Sequence, residues 1–211
     1  MAIFKDIAGH VIEAISDPTR FRNEQAMEDF FVKNLEVLLH VRFLKRQYPI
    51  LNNTHRIDIL GIDFDNSPVI IELKLDKGDD AVLQGQNYYN SWLLKSKPLF
   101  NSLVEIRFGK SAKVIWELPK VILIAKRFSP IAYGAVERNE YVELITYSCF
   151  QPDLVLLEGE ELSTRLLHGK SETHKVEKKD IQVKQQSENY NVEQHLDIIT
   201  VDEVRKKLGL C

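Results

Sequence analysis

Apolar positions recur along this chain at two spacings, and the switching between them predicts an α/β protein. Met27, Phe30, Phe31, Asn34 or Leu35, and Leu38 fall three or four apart, one face of a helix running to about Leu39. Asn23 suits its N-cap, and Glu24 and Glu28 lie one turn apart on the flank of the stripe. Residues 42–50 read as a strand that ends near Pro49, and residues 56–64 as a second, with Ile57, Ile59, Leu60 and Ile62. Asp65-Asn66-Ser67-Pro68 is a turn signal. Residues 69–75 are apolar on both faces apart from Glu72 and Lys74, the pattern of a central strand. Asp79-Asp80 caps a helix over residues 81–95, and residues 99–108 form another. Strands are expected over 120–126, 141–147 and 154–157, with a short helix after Pro130. Near the N-terminus Ile3, Phe4, Ile7, Val11, Ile12 and Ile15 recur at helix-like spacing until Asp17-Pro18. Helix, three strands, helix, then further strands and helices make an α/β fold with a mixed sheet.

The pattern lapses after about His168. Residues 169–189 are mostly Lys, Glu, Gln and Ser, the composition of a solvated linker. Thr200 with Glu203 three residues on is a capping box for a last short helix, which Gly209 would end. With 211 residues, 44 % of them hydrophobic, the chain can bury one sizeable core. A formal net charge of -3 means that any nucleic-acid contact must come from a local basic patch. Cys149 and Cys211 fit neither a metal motif nor a disulfide framework. No apolar run approaches a membrane span, and the N-terminus is acidic and polar too early for a signal peptide. A soluble, cytoplasmic protein without membrane partners is expected.

Chemistry enters where charges interrupt buried strands. A carboxylate there carries a large desolvation cost unless a cation or hydrogen bonds offset it. Glu72 and Lys74 sit two apart on the central strand and so share a face; Asp58 lies among apolar neighbours on the preceding strand. Such local violations tend to mark functional sites. Two convergent carboxylates suit Mg²⁺ or Mn²⁺, which can hold a phosphate and acidify water, with a lysine beside them to stabilise developing charge. The structural alternative is an ion pair between Glu72 and Lys74 at a strand end. Register separates the two. Asp58 and Glu72 share a face only if paired residue numbers across the hairpin sum to an even number. A loop of Asp65 to Ser67, pairing Phe64 with Pro68, meets that condition, whereas a two-residue Asp65-Asn66 turn does not.

These residues carry a resemblance. Residues 56–93, RIDILGIDFDNSPVIIELKLDKGDDAVLQGQNYYNSWL, resemble the PD-(D/E)XK nuclease superfamily, and within it the NucS-type endonucleases. That pattern is a helix glutamate, R-x-D-x-L, V-x-x-E-x-K and a Q-x-x-x-Y helix. Here these are Glu28, then Arg56 and Asp58, then Glu72 and Lys74, then Gln84 and Tyr88. Residues 1–160 also resemble an uncharacterised prokaryotic family sometimes labelled "predicted transport proteins", through the MAIF start, SWLL at 91–94 and PKVILIAKRFSP at 119–130. Val192-Glu193-Gln194-His195-Leu196 matches the start of that family's small helical domain.

The resemblance implies a restriction-endonuclease-like core, a central mixed β-sheet flanked by helices. It implies a nuclease-like domain over 1–165, a polar linker over 166–190 and a truncated helical domain over 191–211. It makes Asp58 and Glu72 ligands of Mg²⁺ or Mn²⁺ and Lys74 the catalytic lysine. Glu28 would bind a second metal or position water, with Glu24 its rival, and Gln84 would touch the phosphate or hold the site together. DNA is the expected partner and a homodimer an assembly to test. The superfamily includes inactive members, so a nucleic-acid-binding or protein-interaction module is the alternative to a deoxyribonuclease.

Arg56, Tyr88, Arg42 and Lys45 are the candidate nucleic-acid contacts, with Arg46, Lys95 and Lys97 near them; for the basic residues the alternative is a solvated surface. Tyr88, Tyr89 and Trp92 are as well explained by core packing as by stacking on bases. Gly61 reads as a strand bulge and Gly78 as a turn. The histidines lack ligand spacing, and neither a P-loop nor a nucleophile elbow occurs.

Overall fold

The computed structural model describes residues 4–7, 10–13, 15–50, 55–137, 139–151 and 153–159. The expected linker, C-terminal helix and Cys211 lie outside the described residues.

The centre of the molecule is a mixed sheet. Helix α1 (Glu24–Leu39) leads into β4 (Val41–Ile50), β5 (His55–Asp63) and β6 (Pro68–Leu73), an antiparallel meander. Helix α2 (Asp79–Asn87), a π-helical segment (Tyr88–Leu93) and α3 (Lys97–Phe108) follow. Then come β7 (Lys120–Ala125), α4 (Pro130–Val136), β8 (Val142–Gln151) and β9 (Leu154–Glu158). β6, β7 and β8 are parallel neighbours, and the sheet order is β3 (Ile15–Ser16), β8, β7, β6, β5, β4, with β9 antiparallel to β8. The expected architecture, a central mixed sheet flanked by helices, is the one observed.

Each face of the sheet has its own core. On one, Met27, Phe31, Leu35 and Leu38 of α1 pack on Ile59, Ile71, Ile122 and Ile145. On the other, Tyr88, Trp92, Phe100 and Val104 cover Leu60, Ile62, Ile70 and Val121. The alternation along β6 explains why that strand is apolar throughout: Ile70 faces one helix layer and Ile71 the other. Asn23 caps α1 as its sequence requires, its Oδ1 accepting from Ala26 N–H at 2.8 Å.

Several local expectations are corrected. The N-terminal pattern is not helical. Phe4–Ile7 (β1) and His10–Glu13 (β2) form an antiparallel pair, and Ile15–Ser16 (β3) joins the main sheet beside β8. Ile7, Val11 and Ile12 are β-branched, and apolar runs this short fit either period. The β5–β6 loop is shifted by one residue. Asp63 N–H donates to Ser67 O at 3.0 Å and Ile62 pairs with Pro68, so Phe64 to Asn66 form the loop. Asn66 takes a left-handed φ of 65°, which asparagine tolerates, and Ser67 N–H donates to Asp63 Oδ1 at 2.7 Å.

Asp79 does not cap α2. The helix begins at Asp79 itself, with Gly78 at the N-cap. Asp79 Oδ1 instead accepts from Ser129 N–H at 2.9 Å, and Oδ2 pairs with Lys77 at 2.9 Å. Those bonds, Ser129 foremost, lower its pKa to about 2. The helix expected to run through residue 95 widens into the π-helical segment after Asn87. There Tyr88 OH donates to Arg56 O at 3.3 Å, Tyr89 stacks on Tyr141 at 3.8 Å and Trp92 tilts against Tyr48 at 5.3 Å. β8 runs four residues past Tyr147 because its alternation continues, with Tyr147 and Cys149 both buried. The bulge expected at Gly61 lies on the facing strand, where the register shifts between Phe43 and Lys45. No helix among the described residues is long and apolar enough to cross a membrane.

Candidate active site

The hairpin register places the two strand carboxylates. Ile59 pairs with Ile71 and Leu60 with Ile70, so the next position sets Asp58 opposite Glu72. The even parity needed for a shared face therefore holds. At that position side chains take over the strand bonding. Leu73 N–H donates to Asp58 Oδ2 at 2.9 Å, and Asp58 N–H donates to Glu72 Oε1 at 3.2 Å. Lys74 lies one residue beyond β6, its N–H still bonded to Ile124 O at 2.8 Å. Among the described residues no ion pair joins Lys74 to Glu72.

Two elements close the site from the sides. From α1, Glu28 is buried at 4 % exposure, inside the apolar stripe and not on its flank. Its Oε1 accepts from Arg46 Nε at 2.8 Å and its Oε2 from Gln47 Nε2 at 2.7 Å. Gln47 Nε2 also donates to Asp58 Oδ1 at 3.2 Å. From the other side α2 and the π-helical segment bring Gln84 and Tyr88. Gln84 Oε1 is buried without a hydrogen-bond partner among the described residues.

Together these side chains line a cleft of about 550 Å³. It gathers Glu28, Asp58, Glu72, Lys74 and Gln84, all of the residues expected to do chemistry. Arg56 and Tyr88 line it too. Tyr88 is only 3 % exposed, so its ring forms wall and not platform. Arg42 and Lys45 do not line it. Arg42 sits toward the opposite end of the hairpin, where its guanidinium donates to Asn66 Oδ1 at 2.7 Å and lies over Phe108 at 5.0 Å. Lys45 is exposed on β4. Glu24, the rival of Glu28, is in the lining but exposed. Sequence reasoning missed Gln25, Gln47 and His55, which also line the cleft. For Gln47 a signal existed: it is an amide inside a strand, opposite Asp58.

The electrostatics follow from burial. Desolvation raises the pKa of Asp58, against the opposing pull of Leu73 N–H and Lys74. Glu72, 2 % exposed, is pushed well above the usual carboxylate range, first by burial and then by the Asp58 charge. Burial, with help from both carboxylates, lifts Tyr88 to about 12. Lys74 and the backbone N–H groups offset only part of the cost of holding two adjacent carboxylates here.

Hard oxygen donors of this kind fit Mg²⁺ or Mn²⁺. No group of three His, Cys, Asp or Glu converges at ligand distance among the described residues. Mg²⁺ does not need one, because it keeps several waters and binds through one or two carboxylates plus a phosphate.

No protein-family model matches the chain, and no curated protein matches it. Among solved structures it is similar to a repair endonuclease from Pyrococcus abyssi, with 22 % identity and a TM-score of 0.39, over 58 % of this chain and 45 % of that one. It is also similar to EndoMS in a dsDNA complex, with 16 % identity and a TM-score of 0.41, over 69 % of this chain and 64 % of that one. EndoMS in its apo form matches at 16 % identity and a TM-score of 0.37. The chain spans less than two thirds of each of these proteins. What the site can do follows from its own side chains.

Proposed function

We propose that this protein is a metal-dependent nuclease that hydrolyses DNA phosphodiester bonds in the Asp58–Glu72 cleft. The observation that carries this reading is the facing pair of carboxyl groups on adjacent strands, buried Glu72 and half-buried Asp58, with Lys74 beside it and, among the described residues, no ion pair joining Lys74 to Glu72. Asp58 and Glu72 would hold Mg²⁺ or Mn²⁺, whose chemistry when bound is to polarise the phosphoryl group and lower the pKa of water. Lys74 contributes an ammonium that donates to a phosphoryl oxygen as charge builds there. Arg56, exposed at the rim, meets the flanking phosphates. Gln84 Oε1 offers an acceptor to a water in the cleft. Glu28 fits a supporting role, since both of its oxygens already accept from Arg46 and Gln47.

The test is a cleavage assay on single-stranded, branched and duplex DNA, with Mg²⁺ or Mn²⁺ against EDTA. Cleavage should require the cation and vanish in Asp58→Asn and Glu72→Gln, and Lys74→Ala should lower kcat by about 10²–10³-fold. Undiminished cleavage in the two carboxylate variants rules out this site. One observation favours the alternative, an inactive nuclease-fold binding module: both Asp58 oxygens already accept from protein donors. Such a module would bind DNA with neither cleavage nor metal affinity.

A further inference from the structure

Gln47 has a φ of +47°, in the left-handed region that residues with a Cβ rarely adopt. Conformations of this kind persist where the surroundings enforce them, and they cluster at functional sites. The strand register does not change across it: Arg46 pairs with Ile59 and Tyr48 with Ile57, so Gln47 stays opposite Asp58. What changes is direction. Consecutive side chains on a regular strand point to opposite faces. Here Arg46 and Gln47 are consecutive, yet both reach Glu28, at 2.8 Å and 2.7 Å.

The same Gln47 nitrogen reaches Asp58 Oδ1 at 3.2 Å. A carboxamide nitrogen carries two hydrogens, so both are engaged, one on each carboxylate. Those carboxylates come from different elements, Glu28 from α1 and Asp58 from β5. An uncharged double donor suits this place. It couples two acceptors without adding a cation that would compete for the site.

We infer that Gln47 is a positioning residue: its amide fixes the Asp58 carboxylate for a divalent cation, and its left-handed backbone is what aims that amide. This rests on the metal-site reading proposed above. Glycine adopts this backbone freely and asparagine tolerates it, but neither side chain reaches both carboxylates. Gln47→Gly and Gln47→Asn therefore remove the clamp while sparing the turn.

The experiment uses the full chain. Mn²⁺ alone is titrated and free Mn²⁺ is read by electron paramagnetic resonance, beside thermal melts in EDTA and cleavage kinetics. Both variants should melt within a few degrees of the wild type. Their Mn²⁺ dissociation constants should rise about 10–100-fold, the usual penalty for losing a residue that orients a ligand. kcat should fall by a similar factor with KM for DNA unchanged. Wild-type Mn²⁺ affinity in either variant overturns the role of Gln47 and leaves the nuclease reading standing. A wild type that binds Mn²⁺ without cleaving DNA removes the nuclease reading, while the role of Gln47 still stands on the affinity ratio. A wild type that binds no Mn²⁺ overturns both.

Discussion

Replacing Arg46 with alanine should cost more than an ordinary surface ion pair and less than a fully buried one. Arg46 Nε meets Glu28 Oε1 at 2.8 Å and an Nη meets Asp29 Oδ1 at 2.9 Å. The Glu28 side chain is 5 % exposed, that of Asp29 58 % and that of Arg46 36 %. The Asp29 arm is a solvated pair, worth about 0–1 kcal/mol. The Glu28 arm matters more, because Arg46→Ala strands a buried carboxylate. Losing one partner of a buried pair costs about 3–5 kcal/mol. Two features of this site reduce that figure: Gln47 still donates to Glu28, and Arg46 is partly in water, so about 2–3 kcal/mol is expected. Adding Glu28→Gln should recover part of the loss, since the stranded charge disappears. A double-mutant cycle should therefore show a coupling of about 1–2 kcal/mol. Urea unfolding at neutral pH in EDTA, with m-values compared across the four proteins, measures it. A single-variant loss below about 0.5 kcal/mol, or strictly additive losses, would refute the claim that Arg46 neutralises Glu28.

Two more outcomes follow from the same structure. The pKa of Glu72 is raised in the folded state, so the folded chain holds a proton that the unfolded chain releases above the ordinary glutamate value of 4.5. Stability without metal is then full below that value and is lost as pH rises toward the folded pKa, by up to about 1.4 kcal/mol per pH unit in that window. Glu72→Gln should flatten the curve and exceed the wild type at pH 8; parallel curves in denaturant titrations would show that Glu72 carries no such burden. At Gly61 an added Cβ would run into Val41 Cγ1 and Arg42 O. Gly61→Ala should cost about 1–3 kcal/mol by overpacking, and a variant as stable as the wild type would mean that β4 can move away.

What was legible in the sequence was whatever depended on period and on broken period. The stripe of α1, the apolar run of β6 and the charges at Asp58, Glu72 and Lys74 are statements about burial, and burial is periodic. The parity that would put Asp58 and Glu72 on one face was legible, but which loop supplied it was not: two- and three-residue loops were both open, and the three-residue loop of Phe64 to Asn66 meets the condition. Contacts between elements distant in sequence were not legible. Asp79 looked like a helix cap, but its partner is Ser129, fifty positions away. Arg42 looked like a phosphate contact because it is basic, and the hairpin carried it toward the far end. The sharp change of direction at Gln47 left no mark either, because a left-handed glutamine has no compositional signature.

Those non-local contacts decide how the cleft carries its charge. Glu28, Asp58 and Glu72 all line it, and the guanidinium of Arg46 is already engaged by Glu28 and Asp29. Lys74, in the lining with Arg56, bears on both strand carboxylates. The backbone N–H groups of Leu73 and Asp58 and the amide of Gln47 make up part of the difference with dipoles. Dipoles stabilise the charged forms without cancelling the charge, so both carboxyl groups still sit above their ordinary pKa values. A site left in that condition gains from a proton or a divalent cation. The proton is favoured as pH falls and the cation as it rises, so on the proposed function metal binding must release protons and strengthen toward alkaline pH. The same deficit gives a phosphodiester, itself an anion, little reason to enter the cleft before the cation has done so.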